Sequence, residues 1–453
     1  MDKSNQKKSG VKKVTHFEII RPQVAGIDVS DNNGMMIAYP ISPTEIVVEE
    51  YACYTRDLHR LSATLKTYNI ESVAMESTGV YWIPLFLLLQ QEGFEVYLVN
   101  AKHVKNVTGR KTDEGDAEWI QKLHRCGLLS ASFQPDNQTR TLRSIVRHRD
   151  SLTKTRTTYL NRIQKALEQM NLKIHTVISD IDGKTGLLII NSILSGERDA
   201  EKLADLCDPR IKADREDVVK SLEGFWSEEH LFELSQCYSL YEFHRKMIDE
   251  CDKKIETILQ EIIKSKNNGI MPDLERVKRK RNFKNNLSIK VTDYLYELNK
   301  VDIAGLNGIK GISEITALTL YSEVGSELSR FKNEKHFTSW LGLAPNTKVS
   351  GGKIISSRVP KKKQCAGQAF RMAAFGLCKS TGPLGDYYRR VRSTAGGRKA
   401  IVALARKLAV IYYRMITEKE AYNPQYLIDY QEKWKDRKIK NLEKYLHKLK
   451  HSA

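Results

Sequence analysis

The sequence predicts an α/β domain followed by an all-α region, and three observations lead to this fold class. Short β-type runs alternate with helical stretches over residues 23–135. Long stretches with helical spacing then fill residues 136–300. A glycine-rich and strongly basic region with apolar helices follows over residues 301–420. With a polar tail at 1–22 and a basic tail at 421–453, these changes of pattern predict five segments.

The elements of the first domain come in a specific order. Three strands in hairpin order precede a helix, a strand, a helix, a strand and a last helix. Strands are predicted at Val24–Val29, Met35–Pro40, Glu45–Tyr54, Glu71–Met75 and Phe94–Val99, and helices at Leu58–Tyr68, Trp82–Gln91 and Asp113–Leu129. This order is expected of a ribonuclease-H-like domain.

The middle region contains two long stretches with helical spacing. One covers about residues 138–175, with a stripe that includes Leu142, Ile145 and Leu152, and the other runs from Leu231 to about Lys264. These stretches predict two arms of a helical hairpin or coiled coil. Short helices are predicted between the arms, and a polar, basic connector is predicted after them.

The charge and the cysteines restrict the class of protein. The 453 residues include 74 Lys and Arg against 55 Asp and Glu, which gives a net charge of +19. Such an excess indicates a polyphosphate partner. Seven cysteines without a CxxC pair argue against a zinc ribbon or a disulfide framework and fit a reducing cytosol. No signal peptide is predicted, and the longest apolar runs, such as Ile83–Leu89, are too short to span a bilayer. We therefore expect a cytoplasmic protein without a membrane partner.

Four carboxylates occur where a ribonuclease-H-like sheet would bring them together. Asp28 lies in the first strand, Glu76 ends the fourth, and Asp113 and Asp116 stand three apart at a predicted helix start. The first and fourth strands are neighbours in such a sheet, and the last helix can cross their ends. Four convergent carboxylates can bind two Mg²⁺ ions, which clamp the attacking and leaving oxygens of a phosphodiester. Taken alone, Asp113 is more typical of a helix N-cap and Asp28 of a turn cap.

The basic residues are concentrated near the C-terminus. The stretch Lys348–Arg414 contains 8 Lys and 8 Arg but a single acid, Asp386. Glycine, serine and tyrosine interleave with the cations, so we expect a surface that meets phosphates rather than an ordinary solvated face. The predicted phosphate contacts are Lys353, Arg358, Lys361, Lys362, Lys363, Arg389, Arg390, Arg392, Arg398 and Lys399. Smaller basic clusters at 276–284 and 433–450 are equally compatible with exposed helices or tails.

A serine and a glycine-rich segment add two further candidates. Ser350 precedes two glycines inside the basic stretch, and a serine hydroxyl can attack a phosphodiester when a metal or base activates it. By residue type alone, a loop serine or ST-turn is the more common role, and Ser356 and Ser357 are alternative nucleophiles. The segment 303–320, with three glycines, predicts either a helix–hairpin–helix that offers N–H groups to a phosphate or a simple interhelical turn.

These motifs together carry a resemblance to a known family. The chain resembles the DEDD insertion-sequence transposases, the one-hundred-and-ten family of mobile elements. The matching motifs are GIDVS (26–30), MESTGVYW (75–82), KTDEGDA (111–117), ILSGERDAEKLADLCDPR (193–210), GIKGISEITALTLYSEVG (308–325) and FTSWLGLAPNTKVSGGK (337–353). The resemblance implies a RuvC-like domain joined through a coiled coil to a transposase-20 domain, and it runs from about Val24 to Ile416.

The resemblance also implies a mechanism and partners. Asp28, Glu76, Asp113 and Asp116 correspond to a quartet that binds Mg²⁺, with Mn²⁺ as a substitute, and Ser350 corresponds to a nucleophile that forms a phosphoserine–DNA intermediate. Donor and target duplex DNA, a structured bridge RNA and a tetramer built as a dimer of dimers are the implied partners, in bacterial or archaeal cytoplasm near the nucleoid. After the serine, the sequence IISSRVPKKKQCAG departs from the basic stretch usual in the family, which keeps Ser356 and Ser357 in reserve. The alternatives are a RuvC-like hydrolytic endonuclease and a non-catalytic nucleic-acid-binding protein.

Overall fold

The computed structural model describes most of the chain. The described residues are 18–29, 34–76, 79–100, 104, 115–278, 287–360, 364–425 and parts of 432–447. They divide into two compact units, Met1–Gln134 and Pro135–Ala453. This division falls beside the boundary predicted at 135, while the boundaries at 300 and 420 stay predictions.

A five-stranded sheet forms the centre of the first unit. Its strands are β1 (Val24–Val29), β2 (Met35–Pro40), β3 (Ile46–Tyr51), β4 (Ser72–Glu76) and β5 (Glu95–Val99), in the order β3-β2-β1-β4-β5. The first three strands form an antiparallel meander. β4 runs parallel to both β1 and β5, so β1 is the central strand, as predicted.

Helices cover both faces of this sheet. They are α1 (Thr55–Thr67), α2 (Trp82–Gln91) and α3 (Asp116–Arg125). On one face, Leu61 and Phe86 of the first two helices pack with Ile27 in a buried apolar core. On the other face, Trp119 and Ile120 of α3 pack against Ala74 and Val99. Because both faces are covered, the central strands are apolar along most of their length.

Two long antiparallel helices dominate the start of the second unit. They are α4 (Asn137–Gln169) and α8 (Glu228–Lys266), in agreement with the predicted arms. Arg149 of α4 pairs with Asp252 of α8, and the guanidinium of Arg156, further along α4, lies over the ring of Tyr241, earlier in α8. The two helices therefore run in opposite directions. The side chain of Asp136 caps α4 by accepting a hydrogen bond of 2.9 Å from the backbone N–H of Thr139.

A small helical cluster lies at the end of this pair. Its helices are α5 (Lys184–Leu194), α6 (Ala200–Ala204) and α7 (Arg215–Leu222), with a short 3₁₀ turn at Ile174–Thr176. Ile189, Ile190 and Leu203 of the cluster pack with Ile163 and Leu167 of α4. The short helices predicted between the two arms are therefore confirmed.

The remainder of the second unit is helical, with one small hairpin. Its elements are α9 (Val291–Asn299), α10 (Glu314–Val324), α11 (Glu334–Trp340), β6 (Lys348–Ser350), β7 (Lys353–Ser356), α12 (Cys365–Gly376), α13 (Pro383–Ala395) and α14 (Gly397–Glu418). Phe337, Phe370 and Tyr412 form an aromatic centre in which the ring centroids of Phe370 and Tyr412 are 5.7 Å apart. The buried face of α14, which includes Leu404 and Leu408, belongs to the core of this region.

Several predicted bounds were wrong. The last helix of the first unit begins at Asp116 rather than Asp113, because Gly115 is extended with φ −62° and ψ 152°. It ends at Arg125 rather than Leu129. The third strand covers only Ile46–Tyr51 of the predicted Glu45–Tyr54, since residues 52–54 already lead into α1.

Candidate active site

Two of the predicted carboxylates end neighbouring parallel strands. The register of β1 and β4 aligns Gly26 with Ala74 and Ile27 with Met75. Asp28 and Glu76 are the next residues of the two strands, and both are half-buried. Residues in register on parallel strands project to the same face of the sheet. The fold therefore brings Asp28 and Glu76 to one edge of the sheet, side by side.

Helix α3 crosses the same edge at close range. A β-carbon built on Gly26 would be 2.2 Å from the backbone nitrogen of Gln121 and 2.5 Å from the carbonyl oxygen of Ala117. The side chain of Gln121 also donates a hydrogen bond to the carbonyl of Val24, so the start of α3 points toward the end of β1 that carries Asp28. Asp116, the exposed first residue of α3, therefore lies at the edge that Asp28 and Glu76 share.

The fourth predicted carboxylate, Asp113, lies outside the described residues. Among the residues that are described, no three carboxylate, imidazole or thiolate groups form a cluster that could hold a metal ion. Asp28, Glu76 and Asp116 nevertheless provide the oxygen ligands that Mg²⁺ takes in proteins. These carboxylates are the ligand type that a divalent cation takes, and their convergence on one metal stays a prediction.

Ser350 lies at the tip of the hairpin in the second unit. It is the last residue of β6 and pairs with Lys353, the first residue of β7. Gly351 and Gly352 connect them with φ of +55° and +74°. Positive φ at both central residues is the requirement of a type I′ turn, which glycine meets without steric cost. The turn leaves Ser350 exposed to solvent.

The two reserve serines follow the same hairpin. Ser356 ends β7, is half-buried, and its hydroxyl accepts a hydrogen bond of 3.4 Å from the backbone N–H of Arg358. Ser357 is exposed immediately beyond the strand. The apolar residues Ile354 and Ile355 of β7 are also exposed, which is unusual for such residues and makes the hairpin a candidate contact surface.

The predicted phosphate contacts are distributed over three elements. Lys353 and Arg358 belong to the exposed hairpin region, and Arg398 and Lys399 are exposed at the start of α14. On α13, Arg389 pairs with Asp386 and Arg390 lies 5.3 Å from the centroid of the Tyr387 ring, while Arg392 is exposed. Lys361, Lys362 and Lys363 lie outside the described residues.

The glycine-rich turn before α10 uses several of its own N–H groups. The carboxylate of Asp302 accepts hydrogen bonds from the backbone N–H of Gly305 at 2.6 Å and of Asn307 at 3.1 Å. The N–H of Leu306 donates to the carbonyl of Lys278 at 2.7 Å. Because these donors already have protein acceptors, the arrangement favours a structural interhelical turn over a phosphate-binding hairpin.

Three cations on α14 lie in the basic stretch 348–414 but were not among the individually predicted phosphate contacts. They are Arg406, Lys407 and Arg414, and they belong to a helix whose other residues include a buried apolar face. Their spacing places them along one side of the helix, and that spacing was the available signal. They line a cleft with residues of α11 and α13.

The fold and the acidic edge define the class of protein. A β3-β2-β1-β4-β5 sheet with helices on both faces is a mixed α/β domain, consistent with a ribonuclease-H-like DEDD domain. Residues 25–172 match the transposase family model for the DEDD type of IS110, and residues 304–389 match the model described as the transposase IS116/IS110/IS902 family. The chain therefore belongs to the IS110 family of DEDD transposases.

A curated relative agrees with this assignment. The transposase for insertion sequence element IS1111A of Coxiella burnetii (strain RSA 493 / Nine Mile phase I) is 20% identical over 384 residues, which cover 82% of this chain and 84% of that protein. The protein is a DNA transposase of a mobile element. Its DEDD domain implies the use of a divalent metal. In the described part of the chain, no helix is both long and apolar enough to cross a membrane.

Proposed function

We propose that this transposase cuts and rejoins DNA strands through a serine nucleophile that works with the acidic edge. The observation that carries the proposal is the position of Ser350 on an exposed type I′ turn inside the most basic stretch of the chain. A serine held at such a turn can approach a backbone phosphate closely, because two glycines follow it and carry no side chains.

The acidic residues provide the second half of the proposed site. Asp28, Glu76 and Asp116, with Asp113, would hold Mg²⁺, or Mn²⁺ in its place. A divalent metal held there would supply charge neutralisation at the phosphate and at the leaving oxygen. The carboxylates keep the cation at the edge of the sheet, and the basic residues of the second unit hold the flanking phosphates. We infer a two-metal arrangement if all four carboxylates converge.

The serine step conserves the phosphodiester. The Ser350 hydroxyl gives up its proton, its oxygen forms a bond to phosphorus, and the bond from phosphorus to a deoxyribose oxygen breaks, with that oxygen taking a proton. In the second step, a deoxyribose hydroxyl of another strand attacks the phosphoserine and releases the serine. One ester replaces another in each step, so the strands are rejoined without net hydrolysis.

The proposed partners are donor and target duplex DNA and a structured bridge RNA. The net charge of +19 and the nearly acid-free stretch 348–414 support polyphosphate partners. RNA guidance would leave sequence choice to base pairing, while the protein reads backbone and shape. A tetramer, built as a dimer of dimers with one subunit's acidic edge beside another's serine, would complete the site. The long exposed helices α4 and α8 are compatible with a coiled coil that supports such self-association.

Capture of a covalent adduct tests the proposal. The wild-type chain would be expressed from its intact element and denatured, and the DNA that stays attached would be sequenced. We expect attached DNA ends in the wild type and none in Ser350→Ala or Asp113→Asn, while Ser356→Ala and Ser357→Ala serve as matched serine controls that retain the adduct. Normal recombination by Ser350→Ala would overturn the role of Ser350.

Two other outcomes lead to the alternatives. Cut DNA without an adduct, which survives in Ser350→Ala but not in Asp28→Asn, would indicate the hydrolytic endonuclease. Neither adduct nor cuts, together with tight DNA binding, would indicate a non-catalytic binding protein. For the transposase and for the hydrolytic endonuclease alike, the affinity for duplex DNA should fall steeply with salt. Six phosphate contacts give a log–log slope of about −5.

A further inference from the structure

A cleft opens between three helices of the second unit. Helices α11, α13 and α14 enclose about 340 Å³. The cleft walls include Lys335 and Thr338 of α11, Tyr387 of α13, and Arg406, Lys407 and Arg414 of α14. Ala403, Val410 and Ile411 of α14 add apolar lining beside the cations, and the cations suit a ligand that is itself anionic.

The charge of the cleft is strongly unbalanced. Four cations line it, Lys335, Arg406, Lys407 and Arg414. Glu334 is the single acid among the described lining residues, and its Oε1 lies 3.9 Å from Nη2 of Arg414. An ion pair of that length between partly exposed groups is weak, so it offsets little of the positive charge.

Lys407 shows the effect of this crowding. Burial is the first cause that lowers its pKa, and the neighbouring charges of Arg414 and Arg390 lower it further. Arg390 extends from α13, so cations approach Lys407 from two helices. A bound anion would favour the charged form of Lys407, because it would supply an opposite charge beside it.

We infer that the cleft between α11, α13 and α14 binds backbone phosphates of nucleic acid, in addition to the contacts near the serine hairpin. Arg406, Lys407 and Arg414 provide the charge, and the phenol of Tyr387 adds a polar group in the same walls. Phosphodiesters of DNA and of RNA share this chemistry. The inference rests on the proposed function, since it takes the ligand from the nucleic acids that a transposase handles.

Salt-dependent binding by the full-length chain tests the inference. The double variant Arg406→Gln/Lys407→Gln removes two cations of the cleft. The control Lys253→Gln/Lys254→Gln removes two adjacent exposed cations of α8. Fluorescence anisotropy with a labelled DNA duplex and with a labelled single-stranded RNA, from about 50 to about 200 mM salt, gives the log–log slope for each protein.

The expected result is a slope that becomes shallower only in the cleft variant. Loss of two phosphate contacts reduces it by about 1.8 on duplex DNA or about 1.4 on a single strand. A change on DNA alone or on RNA alone identifies the source of the phosphates. The single variant Lys407→Arg keeps the positive charge and should have the same slope as the wild type. This comparison separates the effect of lost charge from the effect of lost packing.

A slope equal to that of the wild type on both probes would overturn the inference, as would equal losses in the cleft and control variants. Because Lys407 is half-buried, circular dichroism and thermal melting check that the double variant folds. If it does not, Arg406→Gln/Arg414→Gln gives the same test from less buried positions. If no serine adduct forms but the cleft variant still binds nucleic acid more weakly than the wild type, the serine chemistry is contradicted. The inference about the cleft would still hold.

Discussion

Gly26 and Gln121 approach so closely that any side chain between them is excluded. A β-carbon on Gly26 would lie 2.2 Å from the backbone nitrogen of Gln121, and the carbonyl of Ala117 would be 2.5 Å away. Both neighbours are backbone atoms of α3 and cannot rotate away. This contact sets the distance between α3 and β1, and with it the distance between Asp116 and Asp28.

Gly26→Ala should therefore impair both stability and activity. The methyl group forces α3 away from the sheet, at a cost of about 1–3 kcal/mol for overpacking, and moves Asp116 from the acidic edge. Thermal melting and adduct yield measure the two effects. Gly376→Ala is the matched control, because Gly376 ends α12 with no atom within 4 Å of its position for a β-carbon, and it should melt at or above the wild-type temperature.

His124 should make the first unit sensitive to acid. Burial, followed by the charge of Arg21, lowers the pKa of His124 to about 4, and its Nε2 lies 2.8 Å from the Ser72 hydroxyl. Because the folded-state pKa lies below the ordinary value near 6.5, the unfolded chain binds the proton more tightly. Stability is therefore lost as the pH falls from about 6.5 to about 4, by at most about 3 kcal/mol.

Urea unfolding between pH 7.5 and 4.5 checks this dependence. In His124→Gln the part of the pH dependence that belongs to this residue should disappear, even if the variant is less stable at neutral pH. His148→Gln, at an exposed position of α4, should keep the full pH dependence. Identical pH profiles for the wild type and His124→Gln would contradict the assignment.

The buried pair Arg149 and Asp252 should be a sensitive point of the second unit. The two side chains are almost fully buried, and Asp252 also accepts hydrogen bonds from the backbone N–H of Ser288 at 2.9 Å and from its hydroxyl at 3.2 Å. Asp252→Ala leaves a buried arginine without its carboxylate, so we expect a loss of about 3–5 kcal/mol. Glu250→Ala, on an exposed face of the same helix, should change stability by less than about 0.5 kcal/mol in the same urea titration.

The type I′ turn at Ser350 should be needed for activity more than for folding. Gly351→Ala places an L-residue at φ +55°, which costs about 1–2 kcal/mol and loosens the exposed hairpin. Adduct yield should fall while the melting temperature stays nearly unchanged, because the hairpin buries little surface. Gly351→Asn should restore activity, since asparagine tolerates this conformation. Gly269→Ala, at φ +85° in open space after α8, imposes the same backbone cost and should leave activity intact.

The sheet and the long helices could be predicted well because local patterns specify them. β1, β2 and α2 have the predicted bounds, since Pro and Gly or a change from period two to helical spacing marks each end. The start of α3 was wrong because Gly115 adopts an extended conformation that the spacing of Asp113 and Asp116 does not reveal. The backbone conformation of a single residue such as Gly115 depends on tertiary packing.

The candidate sites also differ in how far the sequence alone predicts them. The adjacency of Asp28 and Glu76 follows from strand order and register, so a sequence that specifies the topology also specifies this pair. The role of Ser350 stays a prediction, although its turn conformation follows from the two glycines. The cationic cleft could not be predicted, because Lys335, Tyr387 and Lys407 come from three helices whose packing no local pattern specifies.

The antiparallel pair of α4 and α8 also forms a long arm within the second unit. The 33 residues of α4 extend about 50 Å at 1.5 Å per residue. The Arg147 guanidinium, bonded to both carboxylate oxygens of Glu323 on α10, fixes this arm about ten residues from its start, and the small cluster of α5, α6 and α7 packs on Ile163 and Leu167 near its other end. Leu167 lies about 30 Å beyond Arg147, so a tilt of about 5° around Arg147 would move the cluster by roughly 3 Å.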